Sequence, residues 1–284
     1  MKKILLILFA IINLFYLIPG LAQKSEPLYK GAFGVQTWIY RNSFPKGAAA
    51  TLDSIKSLGF TEVEGTGYGG MTKEEFKKLC DERQISIPSF GLGYDDLVKD
   101  PMAAVRTAKL LGAKYVMTAW IPHKGDFTLD NAKKAVDDFN TVGKVLSENG
   151  ITFCYHAHGF EFQPYANGTL LDYIITETNP TYVSFEMDIF WVYFGGGDPV
   201  ALLKKYGNRW KLMHLKDLKK GTKKDLTGGT ADSNNVVFGT GALDFPSILK
   251  EANKVGIKHF FVEDESGYTK EQVPLSIAYL KGLR

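Results

Sequence analysis

The chain has 284 residues, of which 23% are charged, and its formal net charge is +3 at pH 7. A nearly neutral chain without runs of like charge lacks the electrostatic character of a nucleic-acid-binding protein, so we predict no nucleic-acid partner. The only cysteines, Cys80 and Cys154, fall in a predicted helix and a predicted strand. This placement indicates two buried thiols and not a disulfide framework.

The first 22 residues have the pattern of a cleavable secretory signal peptide. Lys2 and Lys3 precede a long apolar run, and small residues lead to an expected cut after Ala22. The run is short for a membrane span of about 20 residues, although an uncleaved anchor is the alternative. Cleavage would lower the net charge from +3 to +1. We therefore expect a periplasmic or secreted protein without a stable membrane anchor, in which residues 23–32 form an N-terminal extension.

From residue 33 onward, predicted strands alternate with predicted helices. The strands are 33–40, 61–64, 85–92, 115–120, 151–158, 182–191, 210–217 and 259–265. The helices are 46–58, 72–83, 101–111, 129–148, 169–178, 199–206, 245–255 and 270–283. This alternation predicts an α/β fold, a (β/α)8 TIM barrel that forms a single domain over residues 33–284. No G-x-G-x-x-G turn follows the first strand, which argues against a dinucleotide-binding doubly wound sheet.

Acids and imidazoles collect where the last four predicted strands end, and these ends form the active-site face of such a barrel. Because buried charges must be paired or bound to metal, this ring of acids predicts a divalent cation. One ligand from each strand gives Glu161, Asp188, His214 and Glu263. Three carboxylates with one imidazole suit Mn²⁺ best, with Mg²⁺, Co²⁺, Fe²⁺ and Zn²⁺ as alternatives.

Glu161 fits this ligand set less well than the other three residues. It has the opposite strand parity to His156 and His158, so it faces the same way only if the chain turns after Gly159. A histidine of strand five is therefore the alternative ligand.

Further side chains near the strand ends are candidates for contact with a substrate. Lys216 shares a face with His214 and would stabilise a developing oxyanion, whereas the alternative is a solvated lysine paired with Asp217. The tryptophans either stack on a sugar ring or pack within the barrel. The predicted substrate-binding residues are His156, Lys216, Trp38, Glu64, Trp120 and Trp191.

Several of these motifs together resemble the sugar phosphate isomerase/epimerase family, the xylose-isomerase-like TIM barrel group that includes ketose 3-epimerases and inosose dehydratases. The resemblance covers essentially the whole chain from residue 33. Its motifs are Tyr155-His156-Ala157-His158-Gly159-Phe160-Glu161-Phe162, Glu186-Met187-Asp188-Ile189-Phe190-Trp191, Gly197-Asp198-Pro199-Val200, His214-Leu215-Lys216-Asp217, Gly239-Thr240-Gly241 and Val262-Glu263.

The resemblance implies a divalent metal held by Glu161, Asp188, His214 and Glu263. In epimerases of this family the glutamates of strands five and eight also exchange protons with the sugar. This sequence departs from that subgroup, because its strand-five motif carries two histidines and Trp191 stands where the epimerases have a further histidine. That departure argues against simple 3-epimerisation.

The predicted activity is that of a metal-dependent isomerase or epimerase that removes a proton next to a carbonyl of a non-phosphorylated sugar or keto-sugar. The general base would be Glu263, Glu161 or His158, and an imidazole pKa near neutrality favours His158. One alternative is a lyase or dehydratase that eliminates a β-substituent from a keto-glycoside or inosose.

Two further alternatives are a non-catalytic periplasmic carbohydrate-binding barrel and an apurinic-site endonuclease. The endonuclease requires more than the five histidines of this chain and a basic face. The sequence leaves open a homo-oligomer.

Overall fold

The computed structural model describes residues 26–284 apart from residues 30 and 67. The expected signal peptide and residues 23–25 and 30 of the expected N-terminal extension lie outside the described residues. In the described part of the chain, no helix combines the length and the apolar character needed to cross a bilayer.

Eight parallel strands close into a barrel in which each strand pairs with the next and the last pairs with the first. This arrangement confirms the predicted TIM barrel. The strands are β1 (Ala32–Gln36), β2 (Glu62–Gly65), β3 (Ser86–Gly91), β4 (Tyr115–Thr118), β5 (Thr152–His156), β6 (Val183–Asp188), β7 (Trp210–Leu215) and β8 (His259–Val262).

Helices surround the barrel, and three of them begin with a capping box, one of which is formed by Thr72 and Glu75. Two short helices, Tyr94–Lys99 and Ile189–Phe194, were not predicted. The helices are α1 (Ala48–Ser57), α2 (Lys73–Glu82), α3 (Tyr94–Lys99), α4 (Pro101–Leu111), α5 (Leu129–Glu148), α6 (Leu170–Glu177), α7 (Ile189–Phe194), α8 (Pro199–Tyr206), α9 (Phe245–Val255) and α10 (Thr269–Gly282).

Strand β6 ends at Asp188, three residues before the predicted end. The Asp188 carboxylate accepts the backbone N–H groups of Phe190 at 2.8 Å and Trp191 at 3.0 Å, and this N-cap starts α7. The Gln36 side chain similarly accepts the Trp38 N–H at 3.0 Å and ends β1 with a 3-10 turn. Polar side chains at the strand ends therefore redirect the chain and also face the mouth of the barrel.

The interior of the barrel below its mouth is apolar. Cys154, Leu212 and Phe261 form a fully buried layer against Tyr115. Cys80 is also buried, and neither cysteine forms a disulfide, as predicted. This layer separates the polar groups at the mouth from the opposite end of the barrel.

Asp217 holds the long segment between β7 and α9 in place. Its carboxylate accepts the backbone N–H groups of Gly239 and Gly241, both at 2.9 Å, and of Leu243 at 3.2 Å. A Cβ on Gly241 would lie 2.2 Å from the Asp217 carboxylate, so the turn and this side chain fit closely. Asp217 is thus a structural residue and not the partner of Lys216.

Replacing Asp217 with alanine is expected to destabilise the fold. The change leaves three N–H groups without their acceptor, and a buried group that loses its partner costs about 1–3 kcal/mol. We expect the free energy of unfolding in urea to fall by at least about 3 kcal/mol. Asp244→Ala is the control, because Asp244 caps only Ser247 N–H and its loss costs about 1 kcal/mol. Equal losses in the two variants would contradict this role.

Candidate active site and metal centre

Three side chains from neighbouring strands bring potential ligand atoms together at the mouth of the barrel. His156, Asp188 and His214 each offer one atom, and these atoms lie within 4.8 Å of one another. Asp188 Oδ2 lies 3.8 Å from His156 Nε2 and 3.9 Å from His214 Nδ1. All three side chains are buried, and neither His156 Nε2 nor Asp188 Oδ2 has a hydrogen-bond partner among the residues that the structure describes. Lone pairs that are buried without a partner fit a bound cation.

Glu263, from the loop after β8, lies next to this group. Its Oε2 is 3.2 Å from His214 Nδ1 and 3.4 Å from the ammonium of Lys216. Burial alone would raise the pKa of Glu263, but Lys216 and His214 hold that pKa well below its usual value. Glu263 is therefore an ionised carboxylate beside the candidate ligands, and its roles as metal ligand and base stay predictions.

The structure does not bring Glu161 into the site. One carboxylate oxygen accepts the hydroxyl of Tyr155, and both oxygens accept the backbone N–H of His158, at 2.9 and 3.1 Å. Tyr155 belongs to the outer layer of the barrel, where its ring packs on Phe139 of α5. Burial raises the pKa of Glu161. Glu161 is thus wrongly predicted as a metal ligand and base, and His156 contributes the imidazole that strand five brings to the cluster.

Glu64 is fully buried under the candidate ligands and does not lie at the rim as expected. Its carboxylate accepts the Gln36 side-chain amide at 2.9 Å and the Ser89 hydroxyl, and its Oε2 lies 2.7 Å from His214 Nε2. No atom of Glu64 lines the cavity described below. Its prediction as a substrate-binding residue is therefore wrong.

Glu186 is a site residue that the sequence analysis missed. It is fully buried on β6, and its Oε2 lies 3.2 Å from His156 Nδ1. Its other oxygen is 3.3 Å from His214 Nε2. The signal was present in the sequence, because Glu186 stands two residues before Asp188 and therefore faces the same side of the strand.

Lys216 is buried beneath the cavity and does not contact its space. The side chain is 1% exposed, and its ammonium pairs with Glu263 and Glu265. It also lies over the rings of Phe190 and Trp191, at 5.0 and 5.1 Å from their centres. Burial lowers the pKa of Lys216, but the two glutamates raise this pKa by more than burial lowers it, so the ammonium stays charged. Lys216 therefore acts on Glu263, which corrects its expected contact with substrate.

A cavity of about 460 Å³ opens above the cluster. The cavity is lined by six of the site residues that the sequence predicts, namely His156, His158, His214, Glu263, Trp38 and Trp191. Trp120 is not among them, but its exposed indole packs on His123, Phe160 and the cavity-lining His158, so its role in substrate binding stays a prediction. No lysine or arginine of the described residues lines this space. The remaining lining residues are Gln36, Thr66, Gly91, Leu92, Gly93, Met117, Ala119 and Glu265.

His158 lies against the Trp191 indole, with ring centres 4.7 Å apart. Burial and the nearby Lys216 ammonium lower the pKa of His158 to about 3. The expectation of a pKa near neutrality is therefore wrong, and the imidazole is neutral at pH 7. A neutral imidazole both donates and accepts a hydrogen bond, which suits contact with a sugar hydroxyl.

Residues 52–283 match the family model described as xylose isomerase-like TIM barrel. The chain belongs to the xylose isomerase-like TIM barrel family. This membership confirms the family resemblance of the motifs on β5 to β8. It also shows that the barrel that holds this cluster belongs to a family of carbohydrate-processing enzymes.

Curated relatives of this chain in the xylose isomerase-like family include inosose dehydratases. The inosose dehydratase of Clostridium beijerinckii is 24% identical over 228 residues, which cover 69% of this chain and 76% of that protein. Inosose dehydratase 1 of Bacillus cereus is 35% identical over 98 residues, which cover 34% of this chain and 32% of that protein.

Solved structures with the same fold include a sugar phosphate isomerase/epimerase from Parabacteroides distasonis. It has a TM-score of 0.72 and 25% identity, and the match covers 88% of this chain and 97% of that one. The IolI protein with a bound zinc atom has a TM-score of 0.68 and 16% identity, covering 88% of this chain and 95% of that one. At that identity the likeness to IolI shows the fold alone.

Proposed function

We propose that this chain is a metal-dependent lyase that removes a proton next to a carbonyl of a keto-sugar, keto-glycoside or inosose and eliminates the β-substituent. The inosose dehydratases among its relatives support this chemistry over the isomerase or epimerase activity first expected from the sequence. The observation that carries the proposal is the position of Glu161, whose carboxylate accepts hydrogen bonds from Tyr155 and His158 outside the cavity.

Epimerisation and elimination make different demands on the site. Inverting a carbon centre requires proton removal on one face and proton delivery on the other, which the glutamates of strands five and eight provide in the epimerases that the sequence resembles. Here Glu263 lines the cavity, while Glu161 is bonded to Tyr155 and His158 on the outer side of the barrel. Elimination needs only one carboxylate base, and one is present.

The residues of the cluster fit a divalent metal. His156, Asp188 and His214 would hold it, with Glu263 beside them. Their buried ligand atoms converge, and two of these atoms have no hydrogen-bond partner among the described residues. With His156 in place of Glu161 the donor set holds two imidazoles, which suits Zn²⁺, Fe²⁺ or Co²⁺ as well as the expected Mn²⁺. A divalent ion in this position supplies Lewis-acid polarisation of the substrate carbonyl.

The side chains of the protein account for the proton movements. Glu263, kept ionised by the Lys216 ammonium, accepts the proton from the carbon next to the carbonyl. The carbon–oxygen bond at the β-position then breaks, and the protonated Glu263 returns its proton to the leaving hydroxyl on the same face. The products are an unsaturated ketone and water. Where the β-substituent is a glycosidic alkoxy group, an alcohol is released in place of water. His158 and Gln36 line the cavity and can bind substrate hydroxyls.

Charge at the cavity favours a substrate without phosphate. Among the described residues that line it, none is cationic at pH 7 outside the histidines, while Glu263 and Glu265 are acidic. A phosphate dianion would meet these acids without a compensating lysine or arginine. The expected export of the chain supports the same conclusion, since a secreted enzyme rarely meets cytosolic sugar phosphates.

Epimerisation remains the second candidate because His158 lines the same cavity as Glu263 and could carry the second proton. The two reactions differ in what happens to solvent deuterium. An epimerase returns recovered sugar with deuterium at the epimerised carbon, whereas an elimination releases water and leaves an unsaturated product.

Incubation of the protein in D₂O with inososes, 3-keto-glycosides and ketoses, with Mn²⁺ or Zn²⁺ added, tests the proposal. We expect at least one inosose or keto-glycoside to lose its β-substituent, detected as ultraviolet absorbance of the conjugated carbonyl and as the mass of the product. Deuterated epimers without any loss of the substituent would favour the epimerase. Binding of sugars without turnover or deuterium uptake across the panel would favour the carbohydrate-binding barrel.

A further inference from the structure

We infer that Glu64 is a positioning residue: it fixes the Nε2–H tautomer of His214 and thereby turns the Nδ1 lone pair of that histidine toward the candidate metal site. The inference rests on the proposed function, because it concerns the same site. It assigns a role to a buried carboxylate that belongs to neither the cavity wall nor the ligand cluster around Asp188.

The hydrogen bonds of Glu64 define which atom of His214 carries the proton. Glu64 accepts the Gln36 amide at 2.9 Å and the Ser89 hydroxyl, which shows a carboxylate surrounded by donors. Its Oε2 is 2.7 Å from His214 Nε2, the shortest contact of that ring. Both oxygens of Glu64 already accept hydrogen bonds, from Gln36 and Ser89, so the proton of the contact with His214 belongs to Nε2.

The opposite ring atom of His214 faces the site. His214 Nδ1 lies 3.2 Å from Glu263 Oε2 and 3.9 Å from Asp188 Oδ2. Glu186 Oε1 lies 3.3 Å from Nε2 and has no hydrogen-bond partner within the described part of the chain, because the single Nε2 proton points at Glu64. A histidine ligand whose second nitrogen donates to a carboxylate is held in one orientation and binds metal more strongly.

A second cation between Glu64, Glu186 and His214 is the competing explanation, since these side chains also bring three ligand atoms within 4.8 Å. The donors around Glu64 decide against it. Gln36 and Ser89 point N–H and O–H groups at the two carboxylate oxygens, and a cation there would face these hydrogens. Glu64 is therefore bonded as an acceptor to protein donors, and its third donor is His214.

The same barrel contains a matched carboxylate–histidine pair that lies far from the ligands. Glu62 stands two residues before Glu64 on β2, and its Oε2 is 2.8 Å from His259 Nδ1 at the opposite end of the barrel. The apolar layer with Cys154 and Leu212 lies between the two ends. Glu62→Gln therefore changes the same chemical group on the same strand without touching the site.

The first test measures metal affinity by titrating metal-free protein with Zn²⁺ in a calorimeter. Glu64→Gln is expected to weaken Zn²⁺ binding about 10- to 100-fold, the usual effect of losing such a partner. Glu62→Gln is expected to bind Zn²⁺ as the wild type does. Equal affinity of Glu64→Gln and wild type would overturn the inference and leave the proposed function intact. A wild type that takes up no metal would overturn both.

The second test identifies the protonated nitrogen by histidine ¹⁵N NMR of the Zn²⁺-loaded wild type. We expect His214 to carry its proton on Nε2 and to coordinate through Nδ1, with the Nε2–H signal changed in Glu64→Gln and retained in Glu62→Gln. The wild-type spectrum decides the point even if Glu64→Gln fails to fold. Coordination of His214 through Nε2 would overturn the inference.

Discussion

Replacing Asp188 with asparagine is expected to lower kcat/KM on any substrate found by about 10³-fold and to abolish high-affinity metal binding. The change replaces the carboxylate ligand between His156 and His214 with an amide, which is a weaker ligand for a divalent cation. The Lewis acid contributes several kcal/mol of transition-state stabilisation, and each 1.36 kcal/mol corresponds to about tenfold in rate. Steady-state kinetics and metal content of the purified variant measure the two effects.

Asparagine is chosen because it preserves the structural role of Asp188. Its side-chain oxygen can still accept the N–H groups of Phe190 and Trp191 that begin α7. Asp198→Asn is the matched control, since the Asp198 carboxylate caps α8 in the same way, at 2.8 Å from Val200 N, and is exposed outside the cavity. Asp198→Asn should retain full activity. Full activity and full metal content in Asp188→Asn would show that the site is misplaced.

The barrel was predictable because its signal is repeated eight times along the chain. Apolar runs bounded by Gly and capping residues recur at regular spacing, and errors at single boundaries do not change the count of elements. The errors occur where one polar side chain redirects the backbone. Asp188 stops β6 and starts α7, and Gln36 stops β1, because each accepts backbone N–H groups just beyond its own strand.

Glu161 shows where strand parity stops being informative. Strand β5 ends at His156, and Gly159 then adopts φ +95°, a conformation that L side chains rarely accept. The chain after Gly159 forms a 3-10 turn, so the alternation of faces that applies within a strand no longer applies to Glu161. The strand parity predicted that Glu161 reaches the site only if the chain turns after Gly159. The chain does turn there, but the turn directs the carboxylate to Tyr155.

Glu64 and Lys216 were misassigned for a different reason. Both occupy strand ends that face the mouth of the barrel, as expected, but the depth of a side chain along the barrel axis depends on its partners. Ser89 and His214 hold the carboxylate of Glu64 below the cavity. Glu265 covers the ammonium of Lys216. These partners lie far away in sequence, so no local pattern indicates them.

Glu263→Gln is expected to lower kcat by about 10²- to 10⁴-fold, the usual contribution of a general base. The amide keeps the size of the side chain but cannot accept the substrate proton. The Lys216 ammonium lies 3.4 Å from Glu263, so the variant also leaves this cation less well compensated. Stopped-flow or steady-state absorbance of the unsaturated product measures the rate, and deuterium exchange measures proton removal separately.

Glu161→Gln provides the decisive contrast, because the epimerases that the sequence resembles use both glutamates. The structure places Glu161 outside the cavity, where a glutamine can still accept the N–H of His158. We expect kcat to be unchanged and the free energy of unfolding to fall by only about 1–2 kcal/mol, the cost of one impaired buried hydrogen bond. A loss of activity equal to that of Glu263→Gln, at unchanged stability, would return Glu161 to the catalytic site and favour a two-base epimerase. Activity lost only in Glu263→Gln is the result that single-base elimination requires.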